Sequence, residues 1–426
     1  MNWLRGTGRS LLVLLCSLAA LPALAQEVAK SPGFKIGDGA LHPYLQLDAR
    51  YDSLVGYFNL DSAGNLVPSG ELVLHARPGV RFDLTTPSTS VAFNGNAEYL
   101  WFTGLISPGS RALSRLQASV GLDTAFNKDG AVEFQLGDQL TRSDRTQNPA
   151  LGIGAISLFN NVYLAAPIHP GGRALEVTPK VAWSVEFFER LVNGIANFCP
   201  AGTPACEPSQ SNYSNLNFGA NARWRFLPKT AVIVDVNADW RYYFNDPTNG
   251  KVIFRSLAGL GGLITPRISA TLLGGYAGDF TNGSIHTFIA NAELGYTVSE
   301  STRIAIGYSR NALPVPIVGT LIDDRGYLRG GVGFLSNRLT FNGQFSVDYL
   351  TFLSAPTNAA APTPNPTRSD VVLALSVGPN FVVTSWFDIG AGYTLSYRTT
   401  QNVTGPALLG LNYLRHEAML RLDFHY

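Results

Sequence analysis

The sequence predicts an all-β protein: a closed, antiparallel transmembrane β-barrel of about eighteen strands, made with a cleaved signal peptide. Three observations predict this class. The N-terminus has the pattern of a secretory signal, side-chain polarity alternates with a period of two from Leu41 to Tyr426, and tight and long connections alternate along the chain. The expected organisation is a signal peptide at 1–25, a short periplasmic segment at 26–40 and an outer-membrane barrel at 41–426.

The first 25 residues have the three parts of an export signal. Arg5 and Arg9 give a positive start, Leu11 to Leu24 form a short apolar core, and Ala23-Leu24-Ala25 is a small-residue cleavage site. A membrane anchor is the alternative interpretation. However, this apolar run of about 14 residues is shorter than the roughly 20 that a spanning helix needs.

The composition excludes several classes. Removing Arg5 and Arg9 from the 31 basic residues leaves 29 against 30 acidic ones, so the mature chain is nearly neutral and no nucleic-acid partner is expected. Charged residues make up 14% of the chain, against about 25% in soluble globular proteins. A low charge content without long apolar runs is typical of a barrel whose strands face lipid on one side and water on the other.

Alternation is clearest in the last segment of the chain. One face carries Leu414, His416, Ala418, Leu420, Leu422, Phe424 and Tyr426, and the other carries Arg415, Glu417, Met419, Arg421, Asp423 and His425. A helix would mix these groups around its circumference, whereas a strand separates them into an apolar face and a polar face. The segments that alternate in this way are 41–58, 70–86, 89–104, 113–126, 131–142, 153–166, 173–190, 214–227, 230–244, 251–264, 267–280, 285–299, 302–312, 323–335, 338–353, 370–383, 385–399 and 410–426.

The connections between these segments provide a separate argument. Tight turns are predicted at 86–88, 127–130, 227–229, 265–266, 300–301 and 336–337, and long loops at 59–69, 143–152, 191–213, 313–322, 354–369 and 400–409. Outer-membrane barrels have short periplasmic turns and long extracellular loops. A β-solenoid is the rival fold, but it predicts short turns on all sides.

The need for closure is consistent with this prediction, whereas the placement of three prolines argues against it. An open sheet would leave backbone amides and carbonyls unpaired in hydrocarbon, so the first and last strands are expected to pair. Against the prediction, Pro78, Pro179 and Pro379 lie inside predicted strands, where each removes a backbone donor. We expect these prolines at bulges or at strand ends.

Two cysteines remain after the signal, Cys199 and Cys206. In an exported protein they predict a small disulfide loop. A metal site is the alternative, but no histidine is near them in the sequence and two thiols are a poor tetrahedral set. No metal and no cofactor are expected elsewhere.

The end of the chain resembles the C-terminal signature of bacterial outer-membrane proteins. In this sequence the signature is Leu422, Phe424 and the terminal aromatic Tyr426, although phenylalanine is the usual last residue. The resemblance implies recognition by the barrel-assembly machinery and a partnership with outer-membrane lipid.

The predicted first strand, from Leu41-His42-Pro43-Tyr44-Leu45 to Arg50-Tyr51-Asp52-Ser53, resembles the opening of porin-type barrels associated with polysaccharide export. With its strand count, the chain is similar to the eighteen-stranded exopolysaccharide-secretion barrels of myxobacteria. That resemblance implies polysaccharide as the exported material and periplasmic polysaccharide-export proteins as partners.

The polar faces provide the candidate functional residues. Those expected to face the lumen are Arg77, Arg81, Arg223, Arg225, Asp235, Asp239, Arg241, Asn291, Glu293, Arg415, Glu417, Arg421 and Asp423. One interpretation is cross-strand ion pairing in a hydrated wall, and the other is a field or sugar-binding track that sets selectivity. Spacing alone does not distinguish them.

Catalysis is not predicted. The six histidines form no Ser/His/Asp grouping, and the sequence has no His-Glu-x-x-His motif and no phosphate-binding glycine loop. The function expected is therefore passage of polar material across the outer membrane, with polysaccharide export preferred through resemblance. A general diffusion porin and a structural or adhesive barrel with a blocked lumen are the alternatives.

Overall fold

The computed structural model describes residues 32–55, 59–60, 66–67, 69–128, 130–145, 154–172, 174–192, 209, 212–245, 247, 250–281, 285–315, 319–354, 368–401 and 412–426. Within them, the barrel strands are β1 (Gly39–Asp52), β2 (Glu71–Thr85), β3 (Thr89–Phe102), β4 (Arg115–Phe126), β5 (Phe134–Arg145), β6 (Gly154–Ala165), β7 (Leu175–Val192), β8 (Tyr213–Leu227), β9 (Thr230–Tyr243), β10 (Lys251–Leu263), β11 (Ile268–Asp279), β12 (Ile285–Ser299), β13 (Thr302–Val315), β14 (Gly319–Phe334), β15 (Leu339–Ser354), β16 (Arg368–Thr384), β17 (Phe387–Gln401) and β18 (Tyr413–His425).

These strands form one closed antiparallel sheet. Each pairs with its neighbours in sequence, and β1 also pairs with β18, from Tyr44 opposite His425 to Asp52 opposite Glu417. A short strand, Phe34–Ile36, folds back on the start of β1, and the two-residue strands Asn59–Leu60 and Leu66–Val67 pair with each other. The predicted eighteen-stranded barrel is confirmed. Its closure gives both outer strands of the sheet a hydrogen-bonding neighbour.

The two ends of the barrel differ in their connections. At the end we call the short-turn end, β8 and β9, β12 and β13, and β16 and β17 are each joined by two residues. At the other end, the long-loop end, 17 or more residues separate some neighbouring strands, as between β1 and β2. Thus most of the predicted alternation of tight and long connections is present.

Side chains reinforce the seam between β1 and β18 at the short-turn end. The Tyr426 amide donates to the Pro43 carbonyl oxygen at 3.1 Å, and the Tyr426 ring lies 4.6 Å from the Phe34 ring. The Phe424 ring stacks on Phe387 at 4.9 Å. Leu422, Phe424 and Tyr426 thus form part of the outer surface beside the seam, and their recognition by the assembly machinery stays a prediction.

The outer surface is strongly apolar. Large side chains such as Trp240, Leu272 and Phe288 are 63%, 65% and 61% exposed, and similar residues recur around the barrel. Exposed aromatics lie near both ends, for example Trp101 and Tyr242 at the long-loop end and Phe126 and Trp224 at the short-turn end. An apolar band between aromatic girdles is the surface that an outer-membrane barrel presents to lipid. This protein is therefore located in the outer membrane.

None of the described residues forms a helix long and apolar enough to span a membrane.

A few charged side chains interrupt the apolar outer face, and they are paired. Asp138, between the outward Leu136 and Leu140, accepts a hydrogen bond of 2.7 Å from the Asn160 amide. Nearer the long-loop end, Arg142 contacts Glu189 at 2.7 Å. Pairing reduces the cost of placing polar groups on this face.

Two sequence predictions about strand ends are wrong. The predicted long loop at 313–322 is a hairpin, because β13 continues to Val315, β14 begins at Gly319 and only three residues separate them. The predicted first strand at 41–58 is also too long, since β1 ends at Asp52. Pro314 was interpreted as a loop residue, but it lies opposite Thr320 in the ladder.

The three prolines are accommodated without the expected bulges or strand ends. Pro78 lies opposite Leu45, Pro179 opposite Ala220 and Pro379 opposite Phe341. Opposite their other neighbours, Pro78 and Pro379 have gaps in the ladder, but the register is the same on both sides of each gap. The missing backbone N–H of these prolines therefore interrupts strand pairing locally but does not shift the register of the strand.

Some predictions fall on residues that the structure does not describe. They are the signal peptide at 1–25, the first part of the 26–40 segment, and Cys199 and Cys206. Of the 26–40 segment, residues 32–40 are described, and β1 already begins at Gly39.

Candidate functional site: the barrel lumen

The alternation of each strand turns a polar set of side chains toward the lumen. In β9, Val234 and Trp240 lie on the exposed outer face, while Asp235, Asp239 and Arg241 lie on the other. Asp239 contacts Arg255 of β10 at 2.6 Å and accepts hydrogen bonds from the Asn215 and Asn217 amides of β8. Three strands thus share one carboxylate, which ties the wall together across its inner face.

The residues predicted for the lumen lie on inward positions of their strands. Around β8 and β9, Asp235 accepts a hydrogen bond of 3.1 Å from Asn221, and the Arg241 guanidinium stacks over the Tyr213 ring at 4.1 Å. Arg223 and Arg225 are exposed near the short-turn end of β8.

Three strands farther around the wall, Asn291 and Glu293 share the inner face of β12. Glu293 accepts hydrogen bonds from the Tyr327 hydroxyl at 2.5 Å and from Arg329 at 2.7 Å. Ion pairing therefore accounts for many of the predicted charges, but the Arg329 side chain remains 55% exposed. Water inside the barrel reaches this part of the wall.

The seam between β1 and β18 carries the next predicted group. Arg415 contacts Asp52 at 2.6 Å and Glu417 at 3.0 Å, and Arg421 contacts Asp48 at 3.3 Å. The pairs with Asp52 and Asp48 bridge the first and last barrel strands from the inside.

Three predicted residues have different surroundings. Arg77 of β2 donates to Glu98 at 3.0 Å and to Gln46 at 2.9 Å. Arg81 lines a small cavity of about 320 Å³. Asp423 lies opposite Asp388 in the ladder. The predicted set is therefore distributed around the whole wall and is not gathered into one site.

A wide cavity lies in the lumen, mainly beside β12 to β17 and toward the short-turn end. Its volume is about 1180 Å³. Polar and charged side chains from several strands line it, including Arg50, Glu293, Arg303, Asn342, Gln344 and Thr394. Gly331 and Gly378 also lie in this wall. Because glycine has no side chain, these positions leave the cavity wide.

The long-loop end of the lumen is packed. Glu71, at the start of β2, is fully buried. Its carboxylate accepts hydrogen bonds from the Thr103 hydroxyl at 2.8 Å, the Ser110 hydroxyl at 2.7 Å and the Ser107 amide at 3.0 Å. A single inward carboxylate therefore holds the 103–114 segment, which contains the short helix Pro108–Leu113, against the inner wall.

An apolar cluster lies beside this anchor. Val55, Val73, Leu100 and Phe102 are buried together, and Leu113 packs against them. Val73 and Leu100 lie on the inward faces of β2 and β3, as Glu71 and Glu98 do. The inner wall is thus apolar and closely packed at this end, where the sequence predicted only polar side chains.

A buried ion pair marks the packed end beyond the seam, on β16 and β17. Arg398 of β17 donates through Nε to Asp370 of β16 at 2.7 Å, and both residues are buried. Arg398 was predicted to face inward, but the predicted candidate residues did not include Glu71 or Asp370. A carboxylate at the start of a strand is a weak sequence signal for a buried anchor. Its partners lie in loops, where sequence periodicity does not apply.

Comparison with known proteins adds similarity in architecture only. No known protein family matches the sequence, and no curated protein does. Among solved structures, OccAB3 of Acinetobacter baumannii is 8% identical, with a TM-score of 0.48 over 92% of this chain and 100% of that one. The outer membrane protein OpdK of Pseudomonas aeruginosa is 10% identical, with a TM-score of 0.46 over 91% of this chain and 98% of that one. The siderophore receptor PirA of Pseudomonas aeruginosa is 7% identical, with a TM-score of 0.44 over 91% of this chain and 80% of that one.

Proposed function

We propose that this protein is an outer-membrane channel through which small polar solutes diffuse. One observation carries the proposal: inside a closed barrel, a cavity of about 1180 Å³ is lined by charged side chains, and one of them, Arg329, is 55% exposed. Barrels of about this strand number have room for an aqueous lumen. A wall with both signs of charge and many amides suits hydrated solutes of mixed chemistry.

The packed long-loop end sets the expected selectivity. Solutes that enter the wide cavity meet a narrower section where Glu71 holds the 103–114 segment and the apolar cluster covers the wall. We therefore expect permeation to fall steeply with solute size.

Liposome swelling tests this function. Purified protein reconstituted into liposomes is expected to admit arabinose rapidly, larger sugars more slowly and trisaccharides barely. Liposomes without protein provide the baseline. No swelling in arabinose would contradict the proposal and favour the blocked, structural barrel, which the packed long-loop end also supports.

A more specific form of the proposal is that the channel exports polysaccharide. It rests on the resemblance of the first strand and of the strand count to barrels associated with polysaccharide export. It requires the packed section to open wide enough for a polymer. Deleting the gene separates the two forms: loss of surface or matrix polysaccharide with unchanged uptake of small solutes favours export. The opposite result favours diffusion.

A further inference from the structure

Three ligand-type side chains meet on the inner wall next to the seam. Asp48 of β1, His75 of β2 and Glu98 of β3 each offer a nitrogen or oxygen atom, and these atoms all lie within 4.8 Å of one another. Asp48 and His75 are directly opposite in the ladder between β1 and β2. Three consecutive strands therefore bring a histidine and two carboxylates to one point.

The cluster is buried and one of its atoms has no partner. The side chains of His75 and Glu98 are 8% and 9% exposed, and that of Asp48 is 6% exposed. His75 Nδ1 lies 2.7 Å from Glu98 Oε1, whereas His75 Nε2 is buried without a hydrogen bond. Nδ1 is therefore the imidazole nitrogen that faces Glu98, and an ion held by both side chains would replace the proton between Nδ1 and Glu98 Oε1.

Two arginines contact the carboxylates without closing the cluster. Arg77 Nε donates to Glu98 Oε2 at 3.0 Å, and Arg421 Nε donates to Asp48 Oδ1 at 3.3 Å. The other oxygen of each carboxylate is not part of these two contacts. Because the arginines already balance the two negative charges, an ion that binds here depends on the imidazole nitrogen and not on excess negative charge.

We propose that Asp48, His75 and Glu98 bind a divalent transition-metal ion of the zinc class in the lumen wall. Nitrogen with carboxylate oxygen suits Zn²⁺, whereas Mg²⁺ and Ca²⁺ prefer oxygen ligands only. Ligands about 2.0–2.2 Å from zinc are roughly 3.5 Å apart. Ligand atoms that are now up to 4.8 Å apart would therefore close by about 1 Å on binding, whereas His75 Nδ1 and Glu98 Oε1, now 2.7 Å apart, would separate slightly. Lumen water takes the fourth position, and the ion links β1, β2 and β3.

Isothermal titration of the folded barrel in detergent with ZnCl₂ tests the proposal. The starting protein carries Cys199→Ser and Cys206→Ser, so that thiols do not supply ligands. We expect one Zn²⁺ per chain and no binding of Mg²⁺. Both His75→Ala and Asp48→Asn are expected to weaken Zn²⁺ binding by about tenfold or more. The matched control is His425→Ala, which removes another inward histidine near the same seam and is expected to leave the affinity unchanged.

Folding is checked for each variant by its heat-dependent shift on a denaturing gel. If His75→Ala does not fold, Asp48→Asn decides, because asparagine still accepts from Arg421 but is a much poorer metal ligand. Absence of Zn²⁺ binding by the starting protein would overturn the proposal. So would an affinity that neither substitution changes. This site is independent of the channel proposal, which the swelling experiment tests on its own.

Discussion

The inner face of one strand shows both regions of the lumen. In β15, Thr340, Asn342 and Gln344 line the wide cavity of the short-turn half. Farther along the same face, Ser346, Leu350 and Phe352 are buried. The change comes within two residues, although the alternation that directs these side chains inward is unbroken. Periodicity therefore decides which side chains face the lumen, and the segments packed against them decide whether the lumen is open.

The largest contrast between the two regions is expected for their ion pairs. Asp370→Ala leaves Arg398 buried without its carboxylate and should lower the free energy of unfolding by about 3–5 kcal/mol. Glu293→Ala removes the partner of the exposed Arg329 and should cost about 1 kcal/mol or less. Urea unfolding of the two variants in lipid vesicles measures both values. Equal losses would mean that the long-loop end is as hydrated as the cavity.

The anchor of the 103–114 segment is expected to come next. Glu71→Ala removes the acceptor of several hydrogen bonds and should cost roughly 3 kcal/mol. It should also raise single-channel conductance, because the segment is no longer held against the wall.

Glu133→Ala is the control for that prediction. Glu133 lies near the short-turn end and, among the described residues, its side chain accepts a hydrogen bond from Gln135 at 2.7 Å. Its removal should leave conductance unchanged. If Glu71→Ala also leaves conductance unchanged, the 103–114 segment does not narrow the channel.

The smallest stability effects are expected from added volume. Ser346→Trp places a large ring in the packed region and should destabilise the barrel by about 1–3 kcal/mol. Thr394→Trp places the same ring in the cavity and should change stability by about 0.5 kcal/mol or less, yet slow the swelling of liposomes in sugars. A stability loss of the same size at both positions would show that the cavity is not open.

Much of the wall could be predicted from the sequence. Sustained alternation located β12 at 285–299, as observed, and most other strands to within a few residues. It also assigned Asp239, Glu293 and Arg415 to inward positions, because the side of a strand depends only on residue parity.

The partners of these side chains could not be predicted in this way. Arg398 meets Asp370 only through the register of β16 and β17. Glu71 meets Ser110 through a segment that lies between strands, where no periodicity applies. The cluster of Asp48, His75 and Glu98 likewise joins three strands, and none of its spacings forms a metal-binding motif.

We infer that the lumen is wide at its short-turn end and narrow at its long-loop end. Neutral polymers of graded size, added to one side of a planar bilayer that holds oriented channels, measure the two widths. We expect polymers that are too large to enter from the long-loop side still to enter from the short-turn side and reduce the conductance. The same size limit from both sides, or no conductance at all, would contradict it.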